Sequence, residues 1–336
     1  MTDTPPPLAL LDVAQMAPGQ TPAEALAVSV EMARVAEDNG YRRIWYAEHH
    51  NSTVASAATS VLVGHVAGKT STIRVGAGGV MLPNHSPLAI AEQFGTLASL
   101  YPGRIDLGVG RSGAGGENLA YALRLNGTEG ERFTQDVLEL RAFLGDESAV
   151  PGVHAVPGHG TNVPLIILGS STHGARVAAH LGNAFAFAGH FSPGAMDEAV
   201  TLYRDRFRPS PQLLAPYLFV SVNVIAVDDP ASIAAQQRRF LRTEIRKVLD
   251  RPNLAPVSDS QVDEFIASPR GSQLAGMFEH TIVGTPDAVR QRLQELADRT
   301  RADEVVIVPQ ATDPDDRIRS VQLTGESMAA SLASRW

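Results

Sequence analysis

Four consecutive hydrogen-bonding residues, Glu48, His49, His50 and Asn51, follow the apolar run "IWYA". An imidazole has an ordinary pKa near neutrality, so it can accept or donate a proton, or hold a hydrogen bond, at physiological pH. Glu48 could orient one of the two rings. The alternative is a structural cluster of polar side chains at the end of a strand.

The two adjacent histidines could also bind a metal ion, with His85, His173 or His190 as further ligands. On a strand, consecutive side chains face opposite ways, so His49 and His50 could share an ion only beyond the end of the strand. The sequence has neither H-E-x-x-H nor H-x-H spacing. We therefore expect no metal, and acid–base or hydrogen-bonding work instead.

A glycine-rich stretch, "GVGRSG" at 108–113, matches the dinucleotide fingerprint G-x-G-x-x-G after an apolar run. The Rossmann version needs a helix that opens inside the motif, whereas here the loop continues through "AGGENLAY". The same glycines could bring backbone close to a ligand, with Arg111 as a fixed guanidinium for a phosphate. A flexible loop with a surface arginine is the alternative.

Two other segments could contact a ligand. In "LGSSTHG" a helix N-terminus and the hydroxyls of Ser170, Ser171 and Thr172 suit a phosphate, although plain N-capping would use the same residues. In "RVGAGGVM" Gly78 and Gly79 interrupt a strand, which a flat ligand ring or the strain of a barrel corner would explain.

These motifs must be positioned by the alternating apolar and amphipathic segments of the 336-residue chain. Near-continuous apolar strands are typical of a parallel sheet covered by helices, and eight strand–helix units favour a TIM (β/α)8 barrel over a doubly wound sheet. We expect an irregular insertion around 252–277, before the last unit, and one domain over 1–336. The predicted strands are 7–14, 42–49, 73–83, 104–110, 164–171, 183–191, 216–228 and 302–309.

In such a barrel the chemistry lies at the C-terminal ends of the strands, so all four motifs converge on one mouth. The formal net charge of −8 argues against nucleic-acid binding, and the absence of cysteine excludes disulfides and thiolate catalysis. Neither a secretory signal nor a membrane span is visible. We expect a soluble, cytoplasmic protein.

Taken in order, five stretches resemble the bacterial luciferase-like flavin monooxygenase family, and most closely its single-chain, FMN-type members. They are "YRRIWYAEHHN", the run from "RVGAGGVMLP" to "LGVGRSGAGG", "LGSSTHGARVAAHLG", "FAFAGHF" and "GTPDAVRQRLQEL". The resemblance covers nearly the whole chain.

The resemblance implies an FMN-dependent oxidoreductase that uses reduced FMN and O₂ to oxygenate a small organic substrate through a flavin hydroperoxide. A separate NAD(P)H:flavin reductase would supply the reduced FMN. His49 would lie beside the flavin and assist its oxygen chemistry, with His50 as its neighbour.

The resemblance also implies the flavin-binding residues. The strand that carries Gly78 and Gly79 would pass behind the isoalloxazine ring, and this family often has a non-prolyl cis peptide there. Arg111 would bind the phosphate, and the turn of Ser170, Ser171 and Thr172 would form the other wall.

Some family features are missing. Gly110 replaces a cysteine of the luciferase α subunit, Ser170 replaces an acidic residue, and the long excursion of its mobile lid is not evident. Light emission is therefore not implied. The alternatives are an F420-dependent hydride-transfer dehydrogenase and a non-catalytic flavin-binding protein. Relatives tend to be dimers, and the small-residue helix at 55–70 could pack against its copy in a homodimer.

Overall fold

Nine strands form a single parallel sheet in the computed structural model, which describes residues 5–112, 116–250 and 257–333. The strands are β1 (Leu8–Asp12), β2 (Arg43–Tyr46), β3 (Arg74–Met81), β4 (Ile105–Gly110), β5 (Leu165–Gly169), β6 (Ala184–Phe187), β7 (Leu218–Ala226), β8 (Ile282–Gly284) and β9 (Glu304–Pro309). The sheet order is β6-β5-β4-β3-β2-β1-β9-β7-β8, and a further β6–β7 pairing closes it. Eight strands thus form a closed barrel, which confirms the predicted fold class.

Helices connect the strands and cover the outside of the barrel. They are α1 (Pro22–Asp38), α2 (Thr59–Ala67), α3 (Pro87–Leu100), α4 (Glu117–Ala122), α5 (Phe133–Leu144), α6 (Thr172–Leu181), α7 (Met196–Arg206), α8 (Ile233–Leu249), α9 (Asp259–Ala267), α10 (Pro269–Gly276), α11 (Pro286–Thr300) and α12 (Pro314–Ala333). The segment "TPAE" begins α1 with a capping box: the Thr21 side chain accepts from Glu24 N, and the Glu24 carboxylate accepts from Thr21 N.

The short strand β8 was not predicted from the sequence. β7 pairs with β6 at Leu218–Val220 and with β8 only at Val224–Ala226, while β9 occupies its other edge from Phe219 to Val224. β7 therefore extends beyond the end of β6, and β8 covers the edge that would be left unpaired. Three residues are too few for an alternating pattern to reveal a strand.

The predicted insertion before the last unit is helical where the structure describes it. Ser258 and Ser268 cap α9 and α10, and each side chain accepts a hydrogen bond from the backbone N–H of the third residue of its helix. The part of the predicted insertion at 252–256 lies outside the described residues. The helix α4 also differs from the sequence prediction, which treated that segment as loop.

A buried charge network fills the N-terminal end of the barrel, opposite the mouth. Arg43 donates through Nε and Nη2 to the Glu304 carboxylate, at 2.9 Å each, and through Nη1 to Asp106 at 2.7 Å. Both acidic residues are 0% exposed. Trp45 Nε1 donates to Asp106 at 3.0 Å, and Tyr217 Oη donates to Glu304 at 2.6 Å. These contacts tie β2, β4, β7 and β9 together.

Substituting Glu304 tests whether this network stabilises the barrel. Glu304→Gln should lower the free energy of unfolding by about 3 kcal/mol, because Arg43 would stay buried without its bidentate carboxylate. Urea denaturation measures the change. As a control, Asp228→Asn removes an exposed carboxylate that also forms a bidentate pair, with Arg319. It should change stability little, and equal losses in both variants would contradict the prediction.

Candidate active site

The buried carboxylate of Glu48 joins the loops that follow β2 and β3. Its side chain accepts hydrogen bonds from Met81 N and Asn84 Nδ2, both at 3.0 Å, from His50 Nε2 at 2.8 Å and from His85 Nε2 at 2.9 Å. Burial raises the pKa of Glu48, but the hydrogen bonds from His85 and Asn84 outweigh it, so the net shift is downward. Glu48 is therefore ionised at neutral pH.

Glu48 orients His50 and His85, whereas His49 is not among its hydrogen-bond partners. The sequence suggested that Glu48 holds one imidazole, without deciding which. His85, which the sequence suggested as a possible metal ligand, is held by the same carboxylate. His50 thus anchors its loop, because its ring is bound to a carboxylate that is itself held by β3.

His49 is exposed at the mouth, and its backbone N–H is bonded to the Ser56 carbonyl oxygen at 2.9 Å. The surrounding protein partly desolvates the ring and lowers its pKa, despite the opposing effects of the Ala47 backbone and Glu48. The nearby His50 and Lys247 lower the pKa further. The environment of His49 therefore favours the neutral imidazole.

A second imidazole, His190, lies near His49. It follows β6, is half-buried, and its Nδ1 is 2.6 Å from Ser221 Oγ. Burial, followed by the influence of His49, lowers the pKa of His190 to about 4. From the sequence alone His190 was considered only as a metal ligand, although its position at the C-terminal end of a barrel strand placed it at the mouth. Among the described residues, no group of three or more His, Cys, Asp or Glu side chains is arranged to hold a metal ion.

The peptide bond between Gly78 and Gly79 is cis, as the resemblance implied. The Gly79 carbonyl oxygen accepts from Glu48 N at 3.0 Å, which connects β3 to the cluster around Glu48. A Cβ on Gly78 would lie 2.7 Å from Trp45 Cβ, and one on Gly79 would lie 2.6 Å from Gly108 O. Packing inside the barrel therefore requires both glycines, and a ligand ring is not needed to explain them.

The N-terminus of α6 lies near positively charged side chains, and the side chain of its N-cap residue makes no bond to the helix. His173, in its first turn, has a pKa lowered by burial and by the positive charges of Arg111 and Arg176, so Arg111 lies near this turn. The N-cap Ser171 makes no side-chain capping hydrogen bond, so Ser171 does not fulfil the alternative of plain N-capping. The N-caps Ser232 and Thr285 also lack such a bond, whereas Thr21, Ser86, Ser258 and Ser268 bond to their helices.

The N-terminus of α6 and the nearby Arg111 form a corner of the barrel mouth that is suited to a phosphate, since a helix N-terminus and a guanidinium both favour negative charge. Ser170 is half-buried at the entrance to the turn, and Thr172 is the first residue of α6. Residues 113–115 of the glycine-rich loop lie outside the described residues, whereas Arg111 is described, and its positive charge acts on His173 of the same turn. Ser170, Ser171 and Thr172 are consecutive at the start of α6.

Comparison with known proteins identifies the family of this chain. The family model described as "Luciferase-like monooxygenase" matches residues 8–303. The chain belongs to the luciferase-like monooxygenase family. A luciferase-like monooxygenase of Escherichia coli (strain K12) is 41% identical over 330 residues, which cover 96% of this chain and 97% of that protein. The N-acetyl-S-alkylcysteine monooxygenase of Bacillus subtilis (strain 168) is 30% identical, covering 96% and 98%.

Solved structures show the same fold. The crystal structure of apo-MsnO8 superposes with a TM-score of 0.87 at 34% identity, covering 97% of this chain and 98% of that one. The oxygenating constituent of 3,6-diketocamphane monooxygenase from Pseudomonas putida, in complex with FMN, has a TM-score of 0.70 at 17% identity. A coenzyme F420-dependent reductase from Methanopyrus kandleri has 0.66 at 16%. At these identities the two distant likenesses concern the fold alone.

No helix in the described part of the chain has both the length and the apolar character that a membrane crossing requires.

The family membership and the barrel place this protein among oxidoreductases of the monooxygenase type, in a fold that serves both FMN and F420.

Glu48→Gln tests the anchoring role of the carboxylate. The variant should lose about 2 kcal/mol of unfolding free energy near neutral pH, because an amide cannot accept all four donors. Since the pKa of Glu48 is lower in the folded state than in the unfolded chain, the stabilisation is present above the unfolded value, about 4.3, and is lost as the pH falls through the folded value. The stability difference should therefore narrow in acid.

Urea denaturation of wild type and variant from about pH 7.5 down to about pH 2.5, which lies well below the unfolded pKa, measures this difference. Glu198→Gln, on the exposed face of α7, is the control and should match wild type throughout. A Glu48→Gln difference that widens in acid would show that the carboxylate does not stabilise the loops as argued.

Proposed function

We propose that this protein is a flavin-dependent monooxygenase that uses reduced FMN and O₂ to oxygenate a small organic substrate. The observation that carries the proposal is the phosphate-suited corner of Arg111 and the α6 N-terminus, at the same end of the barrel as His49 and His190. Reduced FMN would supply the electrons for oxygen activation. Its source would be a separate NAD(P)H:flavin reductase, acting in the cytoplasm.

Some of the proposed site residues would bind FMN, and others would accept or donate a proton. Arg111, with Ser170, Ser171 and Thr172, would hold the FMN phosphate, and the Gly78–Gly79 segment would support the flavin ring. A neutral, exposed imidazole suits His49 to accept a proton or a hydrogen bond beside the flavin. His50 would act indirectly, because Glu48 holds its ring.

Sulfur compounds belong in the search for substrates. One relative, 30% identical over 96% of this chain, is named N-acetyl-S-alkylcysteine monooxygenase, so a thioether is a reasonable first compound. Aldehydes, sulfonates and amines complete the set. Pre-reduced FMN, protein and air are mixed with each compound, and oxygenated product is measured by mass spectrometry.

The same assay separates the alternatives. Product that carries one ¹⁸O atom from ¹⁸O₂ supports the monooxygenase. Tight binding of F420 with weak binding of FMN, and hydride transfer that needs no O₂, would replace it by an F420-dependent dehydrogenase. Binding of FMN with no turnover of any compound would indicate a non-catalytic flavin-binding protein.

His49→Ala tests the catalytic role of that imidazole. We expect turnover to fall about 100-fold or more, as is usual when a general acid or base is removed, while FMN affinity changes little. Stopped-flow rates and FMN fluorescence titration give the two quantities. His180→Ala, in the exposed last turn of α6, is the control. Equal losses of turnover and FMN affinity would point to a structural role for His49.

Arg111→Ala tests the phosphate contact. FMN affinity should fall about 10- to 100-fold, the usual effect of losing a charge-assisted hydrogen bond, while riboflavin, which lacks the phosphate, should bind with nearly unchanged affinity. Fluorescence titration measures both ligands. Arg34→Ala, which removes an exposed guanidinium on α1, is the matched control. A similar loss for FMN and riboflavin would place Arg111 elsewhere in the site.

We further propose that the protein is a homodimer joined through α2 and α3. Val61 on α2 is 71% exposed and Leu100 at the end of α3 is 64% exposed, although large apolar side chains favour burial. Val61→Glu should yield a monomer in light scattering, because a carboxylate would be buried at the interface. Leu214→Glu, at a residue 86% exposed, should leave the dimer intact. A monomeric wild type would disprove the proposal.

A further inference from the structure

The hydroxyl of Ser221 lies between the ring of His190 and a backbone carbonyl group. Its Oγ lies 3.1 Å from the Phe187 carbonyl oxygen and 2.6 Å from His190 Nδ1. Both contacts are hydrogen bonds at the same time only if the hydroxyl donates its single hydrogen to Phe187 O and His190 Nδ1 donates to Oγ, because the carbonyl oxygen can only accept. In a neutral ring this leaves Nε2 without a hydrogen, as an acceptor.

The backbone at His190 is held as firmly as its ring. Asn223 Nδ2 donates to the His190 carbonyl oxygen at 2.8 Å, and Asn223 Oδ1 accepts from Gln310 Nε2 at 2.9 Å. Ser221 and Asn223 are alternate residues of β7, only 5% and 3% exposed, so both point to the same side of this strand. His190 is thus attached to barrel strands rather than to a mobile loop, and its acceptor has a fixed position.

The acceptor Nε2 has no hydrogen-bond donor among the described residues of the protein. The ring is only half-buried at the mouth, so a ligand can reach it. With a pKa near 4, caused by burial and the neighbouring His49, the ring stays neutral and retains its lone pair at pH 7. A ligand that covers this acceptor without supplying a donor would lose affinity, because the desolvated nitrogen would remain unpaired.

We propose that His190 Nε2 is a specificity-determining acceptor that selects substrates carrying an N–H or O–H donor. The term "substrate" rests on the proposed monooxygenase function, but the selection itself is a property of binding and needs no flavin. Ser221 is the positioning residue, since it acts only by fixing the tautomer of His190. The favoured ligands are therefore secondary amides, primary amides and alcohols rather than purely aliphatic compounds.

The tautomer is tested by NMR of the flavin-free protein labelled with ¹⁵N-histidine. His190→Phe identifies the His190 signals, and His180→Phe controls for general effects of removing an imidazole. We expect a neutral ring at pH 7 with the hydrogen on Nδ1. Ser221→Ala should give a mixture of tautomers, and Ser221→Thr should restore the wild-type spectrum. A wild-type ring with its hydrogen on Nε2 would overturn the proposal.

Selectivity is tested with two amides that differ by one hydrogen-bond donor, N-butylacetamide and N-butyl-N-methylacetamide. In wild type the secondary amide should bind about 3- to 10-fold more tightly, the usual value of one hydrogen bond, and should shift the His190 Nε2 resonance. The preference should disappear in His190→Phe, weaken in Ser221→Ala and persist in Ser221→Thr and His180→Phe. Equal affinities, or no response of His190 to either amide, would overturn the proposal.

The outcomes separate this inference from the proposed function. If the protein oxygenates substrates but binds both amides equally, only the role of His190 is wrong. If His190 selects the secondary amide and no oxygenation is found with reduced FMN, the monooxygenase proposal fails and the binding site remains.

Discussion

The buried carboxylate of Glu48 is the interaction on which the mouth of this barrel depends. A single side chain receives hydrogen bonds from the loop after β2 and from the loop after β3, while its own backbone N–H is bonded to Gly79. Because donors surround the carboxylate, it remains charged although it is buried, and it fixes the frame from which His49 extends into solvent.

The two ends of the barrel use charge in different ways. At the N-terminal end the positive charges of Arg43 and Arg74 neutralise the carboxylates of Asp106 and Glu304. At the C-terminal end His49, Arg111 and Ser171 are exposed. This division follows the general rule for TIM barrels, in which one end stabilises the fold and the other carries the chemistry.

The observations that establish the family of this protein do not identify its cofactor. The match over residues 8–303 and the E. coli relative establish the luciferase-like monooxygenase family, whereas distant members of the fold use either FMN or F420. Both cofactors carry a phosphate, so the corner at Arg111 suits either one. Under the proposed function the ring system, in which the two cofactors differ, would lie near Gly78 and His49.

Local patterns determined much of this protein. The eight barrel strands and the capping box at Thr21 follow from hydrophobic spacing and helix-start chemistry, which act between near neighbours in the chain. The mouth also followed from the sequence, because strand ends in a parallel barrel share one face. The tertiary structure alone decided that Glu48 holds His50 and His85, that Ser171 leaves its helix uncapped, and that Ser221 sets the tautomer of His190. The contacts of Glu48 with His85 and of Ser221 with His190 join side chains that belong to different strands and loops, so their geometry depends on how the whole barrel closes.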